Sequence, residues 1–142
     1  MSTTKGAQEI VEAFQEVPQN LKLELLLEYS EALPALPDRY QDHPELLERV
    51  EECQSPVYLF VEVDADTTVH IFLTAPDEAP TTKGFASLLQ LALDQEKAET
   101  VLSFDDTFVD ALGITELVSP LRIRGLQGML MRIKRQVKEK ML

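Results

Sequence analysis

One residue in this chain of 142 invites a chemical reading before any other, Cys53, its only cysteine. It stands in the polar stretch Glu51-Glu52-Cys53-Gln54-Ser55, just ahead of Pro56. A thiolate is a nucleophile toward carbonyl carbon and sulfur–sulfur bonds, provided it ionises and can be reached. Charged and amide neighbours suit an accessible loop. Two adjacent glutamates, however, raise a thiol's pKa, so a reactive Cys53 needs a cation nearby. Arg49 is close in sequence, and Arg122 and Arg124 could be brought close by folding. The competing reading is packing, because free cysteine is among the most buried residue types. Composition alone leaves both open.

The other reactive side chains define what the protein lacks. His43 and His70 with one cysteine do not make a zinc set by spacing, and an iron–sulfur scaffold needs more thiolates than one. No metal or cofactor is expected. The five glycines form no phosphate-binding loop. The pairs Glu51-Glu52, Asp77-Glu78 and Asp105-Asp106 are adjacent in sequence, a pattern of solvated or helix-capping carboxylates rather than of acid–base catalysis. A Cys–His hydrolase would need His43 or His70 within hydrogen-bond reach of Cys53.

Charge narrows the partners. The net charge of −12 argues against nucleic acid. Residues 120–142 hold seven basic and one acidic side chain, against six basic and 24 acidic in residues 1–119. That basic stretch suits the C-terminal end of a helix dipole, or else a docking face for an acidic partner. No apolar run is long enough to span a bilayer, and the first residues carry no apolar secretory segment. With one cysteine there is no internal disulfide, and the expected location is the cytoplasm.

The elements that must position Cys53 follow from periodicity. Residues 7–17 and 21–33 have helical apolar spacing, the second capped by Asn20, and Pro34 and Pro37 end it. Residues 56–63 and 69–73 alternate as a β-hairpin around the turn Asp64-Ala65-Asp66-Thr67, with a third strand expected in residues 49–52. A helix is predicted over 81–95, with Phe85, Leu88, Leu89 and Ala92 inward. Asp105 should cap a short helix ending before Gly113. Ser119-Pro120 opens the last helix, to about residue 140, with Leu126, Met129, Leu130, Ile133 and Val137 inward. Helices around a small antiparallel sheet make one α+β domain over residues 1–142.

Four landmarks then point to a family. Cys53-Gln54-Ser55, followed by Val57 and Tyr58, resembles the Cys-Gln-Ser motif of SufE-type sulfur acceptor proteins. Leu33-Pro34-Ala35-Leu36-Pro37 and Lys83-Gly84-Phe85 resemble two further family segments. Ser119-Pro120-Leu121-Arg122, with Gly125-Leu126 and Met129, resembles the fourth. Together they cover about residues 8–140 in the family order. The resemblance implies an α+β fold like that of the scaffold IscU, with a small antiparallel sheet flanked by helices. It implies a protein that is not itself an enzyme. Such a protein binds a pyridoxal-phosphate-dependent cysteine desulfurase of the SufS type, stimulates it, and relays sulfur to a SufBCD-type assembly complex. Carried over by motif, Cys53 is the persulfide acceptor, tucked away until the desulfurase docks, and Arg122 stabilises its anionic sulfur. A monomer or weak dimer is expected. Glu52 departs from the glycine common in the family, and Leu121, Ile123 and Arg124 replace small or polar residues. Arg122 or Arg124 is the expected counter-charge to Glu52. The rival expectation is a thiol-independent module docking through its basic C-terminal helix.

Overall fold

The sheet is organised by a hairpin in a computed structural model that describes residues 3–105 and 107–141. Asp106 of the third acidic pair lies outside the described residues. Strands β2 (Tyr58–Val63) and β3 (Val69–Thr74) pair antiparallel, with Leu59 opposite Leu73 and Val61 opposite Ile71. These four side chains are fully buried, as the alternation requires. In the turn, Asp64 Oδ1 accepts from the backbone N–H of Asp66 at 3.3 Å and of Thr68 at 3.0 Å.

The third strand lies slightly upstream of its expected position. β1 is Glu48–Arg49, antiparallel to the other edge of β2, with Glu48 opposite Leu59. Residues 51 and 52 instead form a turn, closed when Cys53 N–H donates to Val50 O at 3.1 Å. Val50 N–H donates to Val57 O at 2.8 Å, so the segment 50–57 leaves the sheet as a loop with a pinched base. Cys53 sits in that loop.

The helices supply the other layer. Helix α1 (Lys5–Glu16) starts at Thr4, whose hydroxyl accepts from Ala7 N–H at 3.0 Å and donates to Ala92 O at 2.7 Å. One side chain thus caps α1 and ties it to the third helix. Helix α2 (Lys22–Ser30) follows a 3-10 turn at Gln19–Leu21. Asn20 lies inside that turn and caps nothing, and α2 ends before the predicted Leu33. Helix α3 (Pro80–Leu93) is the central element: Phe85, Leu88, Leu89, Ala92 and Leu93 are almost wholly buried. The short α4 (Ala98–Ser103), absent from the sequence prediction, buries only Ala98 and Val101. Helix α5 (Thr107–Ala111) receives Asp105 at its start, where Oδ1 accepts from Thr107 N–H at 3.1 Å. Gly113 follows α5 with φ of 71°, the left-handed conformation for which glycine suits a helix end.

Helix α6 (Pro120–Lys140) opens as predicted, with Ser119 Oγ accepting from Arg122 N–H at 3.3 Å. Its inward stripe packs on β2 and α3. Gln136, 4% exposed, accepts from Val61 N–H at 2.8 Å through Oε1. β1 pairs with β2 only as far as Leu59, so this amide caps an otherwise open sheet edge. On the opposite sheet face, Tyr40 packs against Phe60 and Phe72, and Arg39 pairs with Glu62 at 3.0 Å. The loop after α2 thereby covers the half-buried side of the hairpin.

Candidate functional site: an enclosed thiol

Cys53 is 8% exposed, at the base of a recess of about 40 Å³. Gln54 and Ser55 of its own loop line it, with Thr82 near the start of α3 and Leu121, Arg122 and Gly125 from α6. The recess exceeds one water, at roughly 10–15 Å³ on this scale, and is far smaller than a substrate cleft.

Two glycines of α6 let the loop lie this close. A Cβ at Gly125 would stand 2.9 Å from Cys53 Sγ, inside van der Waals contact. One turn on, a Cβ at Gly128 would stand 2.6 Å from Glu52 Oε1 and 2.8 Å from Glu52 Cβ. Glu52 therefore lies along the helix surface where a side chain is missing. The next turn provides Arg132, whose Nε donates to Glu52 Oε1 at 2.8 Å and whose Nη2 donates to Oε2 at 3.1 Å. Its Nη1 donates to Glu48 Oε2 at 2.6 Å. Positions 125, 128 and 132 share one helix face, since residues three and four apart are neighbours.

Glu48 reaches this cluster because of strand register. It stands opposite Leu59, which faces α6, so its carboxylate points the same way. Besides Arg132 it accepts from Arg135 and from Gln136 Nε2, the latter at 2.8 Å. Burial alone would raise the Glu48 carboxyl, but hydrogen bonds from Arg132, Arg135 and Gln136 outweigh it and hold the pKa below its ordinary value. Glu52 is likewise held down, chiefly by the hydrogen bonds from Arg132.

The thiol goes the other way. Burial first, and then the charge of Glu52, push Cys53 up to about 11, against the weaker pull of Arg132 and Arg49. At neutral pH the enclosed sulfur is a protonated thiol, held back from reaction.

The cation beside Glu52 is thus Arg132, and not Arg122 or Arg124 as the sequence reading expected. Arg122 lines the sulfur recess, while Arg124 is exposed on α6. The spacing Gly125-x-x-Gly128-x-x-x-Arg132 is a helical-face signal that could have found the right arginine. Neither histidine lines the recess. His43 Nδ1 pairs with Glu45 at 3.0 Å; His70 lies between Asp64, at 3.0 Å, and Gln95, at 3.1 Å. The Cys–His arrangement is therefore not formed. Among the described residues no group of three or more His, Cys, Asp and Glu side chains is placed to hold a metal.

Fold and recess define an α+β protein built around one enclosed thiol. The SufE family profile, described as an Fe-S metabolism associated domain, matches residues 8–137. An uncharacterized SufE-like protein of Mycobacterium tuberculosis, found in strains CDC 1551 and H37Rv, is 45% identical over 131 residues, covering 92% of this chain and 90% of the relative. The cysteine desulfuration protein SufE of Plasmodium falciparum is 27% identical over 135 residues, covering 92% of this chain and 53% of that protein. The solution structure of a hypothetical protein from Thermus thermophilus superposes with a TM-score of 0.83 at 35% identity, covering 98% of both chains. This chain belongs to the SufE family, and so to iron–sulfur metabolism.

Proposed function

We propose that this protein is a sulfur acceptor that binds a pyridoxal-phosphate-dependent cysteine desulfurase of the SufS type. It takes a persulfide sulfur on Cys53, stimulates the desulfurase, and relays the sulfur to a SufBCD-type assembly complex in the cytoplasm. The observation that carries this reading is the small recess at the single thiol. It has space for one added sulfur and no second cysteine that could resolve a persulfide into an internal disulfide.

The reaction balances without a further oxidant or reductant. Cys53 first loses its proton. Its thiolate attacks the terminal sulfur of the desulfurase persulfide. A sulfur–sulfur bond forms at Cys53 Sγ as the donor's sulfur–sulfur bond breaks, and the electron pair leaves on the donor thiolate. Arg122, on the recess wall, supplies a guanidinium to the anionic persulfide so formed. The high resting pKa makes partner docking the step that must expose or ionise the thiol.

The alternative of docking through the basic helix alone is weakened because three of its seven cations are already engaged. Arg132 and Arg135 are paired with carboxylates, and Lys140 packs over the Phe60 ring at 3.9 Å. Mass spectrometry tests the sulfur-acceptor reading after mixing with desulfurase and free cysteine. One added sulfur is expected on the Cys53 peptide and none on Cys53→Ser. Equal loading of Cys53→Ser, or none on wild type, would sink it.

A further inference from the structure

We propose that Arg132 is a positioning residue that latches the cysteine loop to α6 through Glu52, so that breaking this one pairing opens access to Cys53. The inference rests on reading Cys53 as the acting thiol, and it adds what holds that thiol shut.

Three independent features converge on the pair. The first is the two-point contact of Arg132 with Glu52, which fixes direction as well as distance. The second is Gly128, whose missing side chain leaves the surface on which Glu52 lies; any Cβ there would overlap its carboxylate. The third is Glu48, which holds the remaining arm of Arg132 from β1, so the guanidinium is anchored to the sheet while it holds the loop. Glu52 immediately precedes Cys53. A displacement of one carries the other, because the two are adjacent in the chain and the sulfur rests on α6 only where Gly125 lacks a side chain. The base of the loop is already pinned by Val50 N–H to Val57 O. Glu52 to Arg132 is the charge-assisted tie on the segment between.

Charge and access predict opposite outcomes at Arg132, which makes the latch testable. The charged groups around the sulfur are Glu51 and Glu52 in the loop, Arg49 on β1, and Arg122 and Arg132 on α6. Through charge alone, Glu52→Gln would ease thiol ionisation and speed alkylation, whereas Arg132→Gln would hinder ionisation and slow it. Through the latch, both changes free the loop and both speed alkylation.

The experiment measures iodoacetamide labelling rates of the full chain at pH 8 and pH 10, with no desulfurase present. Glu52→Gln and Arg132→Gln should each label about tenfold faster or more than wild type, the scale of one lost charge-assisted tie. The double variant should gain nothing over the faster single one, because both remove the same contact. An Arg132→Gln rate at or below wild type, or additive effects in the double variant, overturns the proposal. Thermal melts by circular dichroism check that each variant is folded. If Arg132→Gln does not fold, Arg132→Lys takes its place, since it keeps the charge and loses the two-point grip. Acceleration in both it and Glu52→Gln supports the latch; acceleration in Glu52→Gln alone overturns it. Sulfur loading of the wild type is measured separately. Its absence would refute the acceptor function, and the labelling rates would still decide the latch.

Discussion

Glu52 and Arg132 lie 80 residues apart in sequence and meet through two hydrogen bonds, at 2.8 and 3.1 Å, across the gap between the cysteine loop and α6. This accounts for a glutamate beside a sulfur that the proposed function requires to become anionic. The charge that opposes thiol ionisation is partly offset by a cation from the helix against which the thiol is packed. Glu52 is then tolerable next to Cys53, and the pair gives the loop a defined resting position.

Cys53 should titrate far above an ordinary thiol. Alkylation of the free protein at increasing pH should follow an apparent pKa near 11, raised by burial and then by Glu52. The same shift acts on stability. An unfolded thiol ionises from about pH 8.5, where the folded one remains protonated. Its contribution to stability is therefore fully present below that pH and is lost as pH rises toward 11. Urea denaturation between pH 8 and 11 should show a steeper stability loss for wild type than for Cys53→Ala.

Gly125→Ala should destabilise the fold. Alanine is intrinsically better in a helix by about 1 kcal/mol. Here, though, its Cβ would stand 2.9 Å from Sγ, and overpacking of this kind costs about 1–3 kcal/mol. The expected net result is a loss near 1 kcal/mol in urea denaturation, with faster thiol labelling as the sulfur is pushed outward. A variant as stable as wild type, with unchanged labelling, would show that the close approach has no consequence.

Gln136→Leu keeps the volume of a buried side chain and removes the acceptor for Val61 N–H. The unpaired strand amide should cost about 1–3 kcal/mol. Hydrogen exchange at Val61 should speed up more than at Ile71, whose N–H donates to Asp94 at 2.7 Å and is untouched by the change.

Arg122→Ala should separate function from folding. The side chain is exposed at the recess, so stability should change by no more than about 0.5 kcal/mol. Persulfide loading of Cys53 should fall, with partial recovery in Arg122→Lys. Full loading in Arg122→Ala would remove this arginine from the sulfur chemistry.

Local signals in the sequence determine the structure where neighbours in the chain decide the outcome. The alternation of residues 57–63 and 69–73 produced the hairpin and its buried face. Ser119-Pro120 produced the start of α6, because a hydroxyl cap and a proline act within one turn. The four spaced motifs led to the SufE family, which the profile over residues 8–137 bears out. The structure departs from local signals where packing overrides propensity. Asn20 looked like a cap, yet the chain entered α2 through a 3-10 turn. The two-residue β1 begins upstream of residues 49–52, because its position follows from pairing with Tyr58 and Leu59 rather than from its own residues.

The same division holds at the sulfur. The chain's composition established a single thiol, flanked by two carboxylates and free of a second cysteine, and the ordered motifs established its family. The burial of that thiol and the arginine that answers Glu52 were decided by tertiary structure. Both depend on how closely α6 approaches the loop, a distance set by the missing side chains of Gly125 and Gly128 and by the packing of α6 on β2. Contacts between residues some 70 to 80 positions apart leave little trace in local periodicity, and the pKa of a thiol is set by the environment those contacts build.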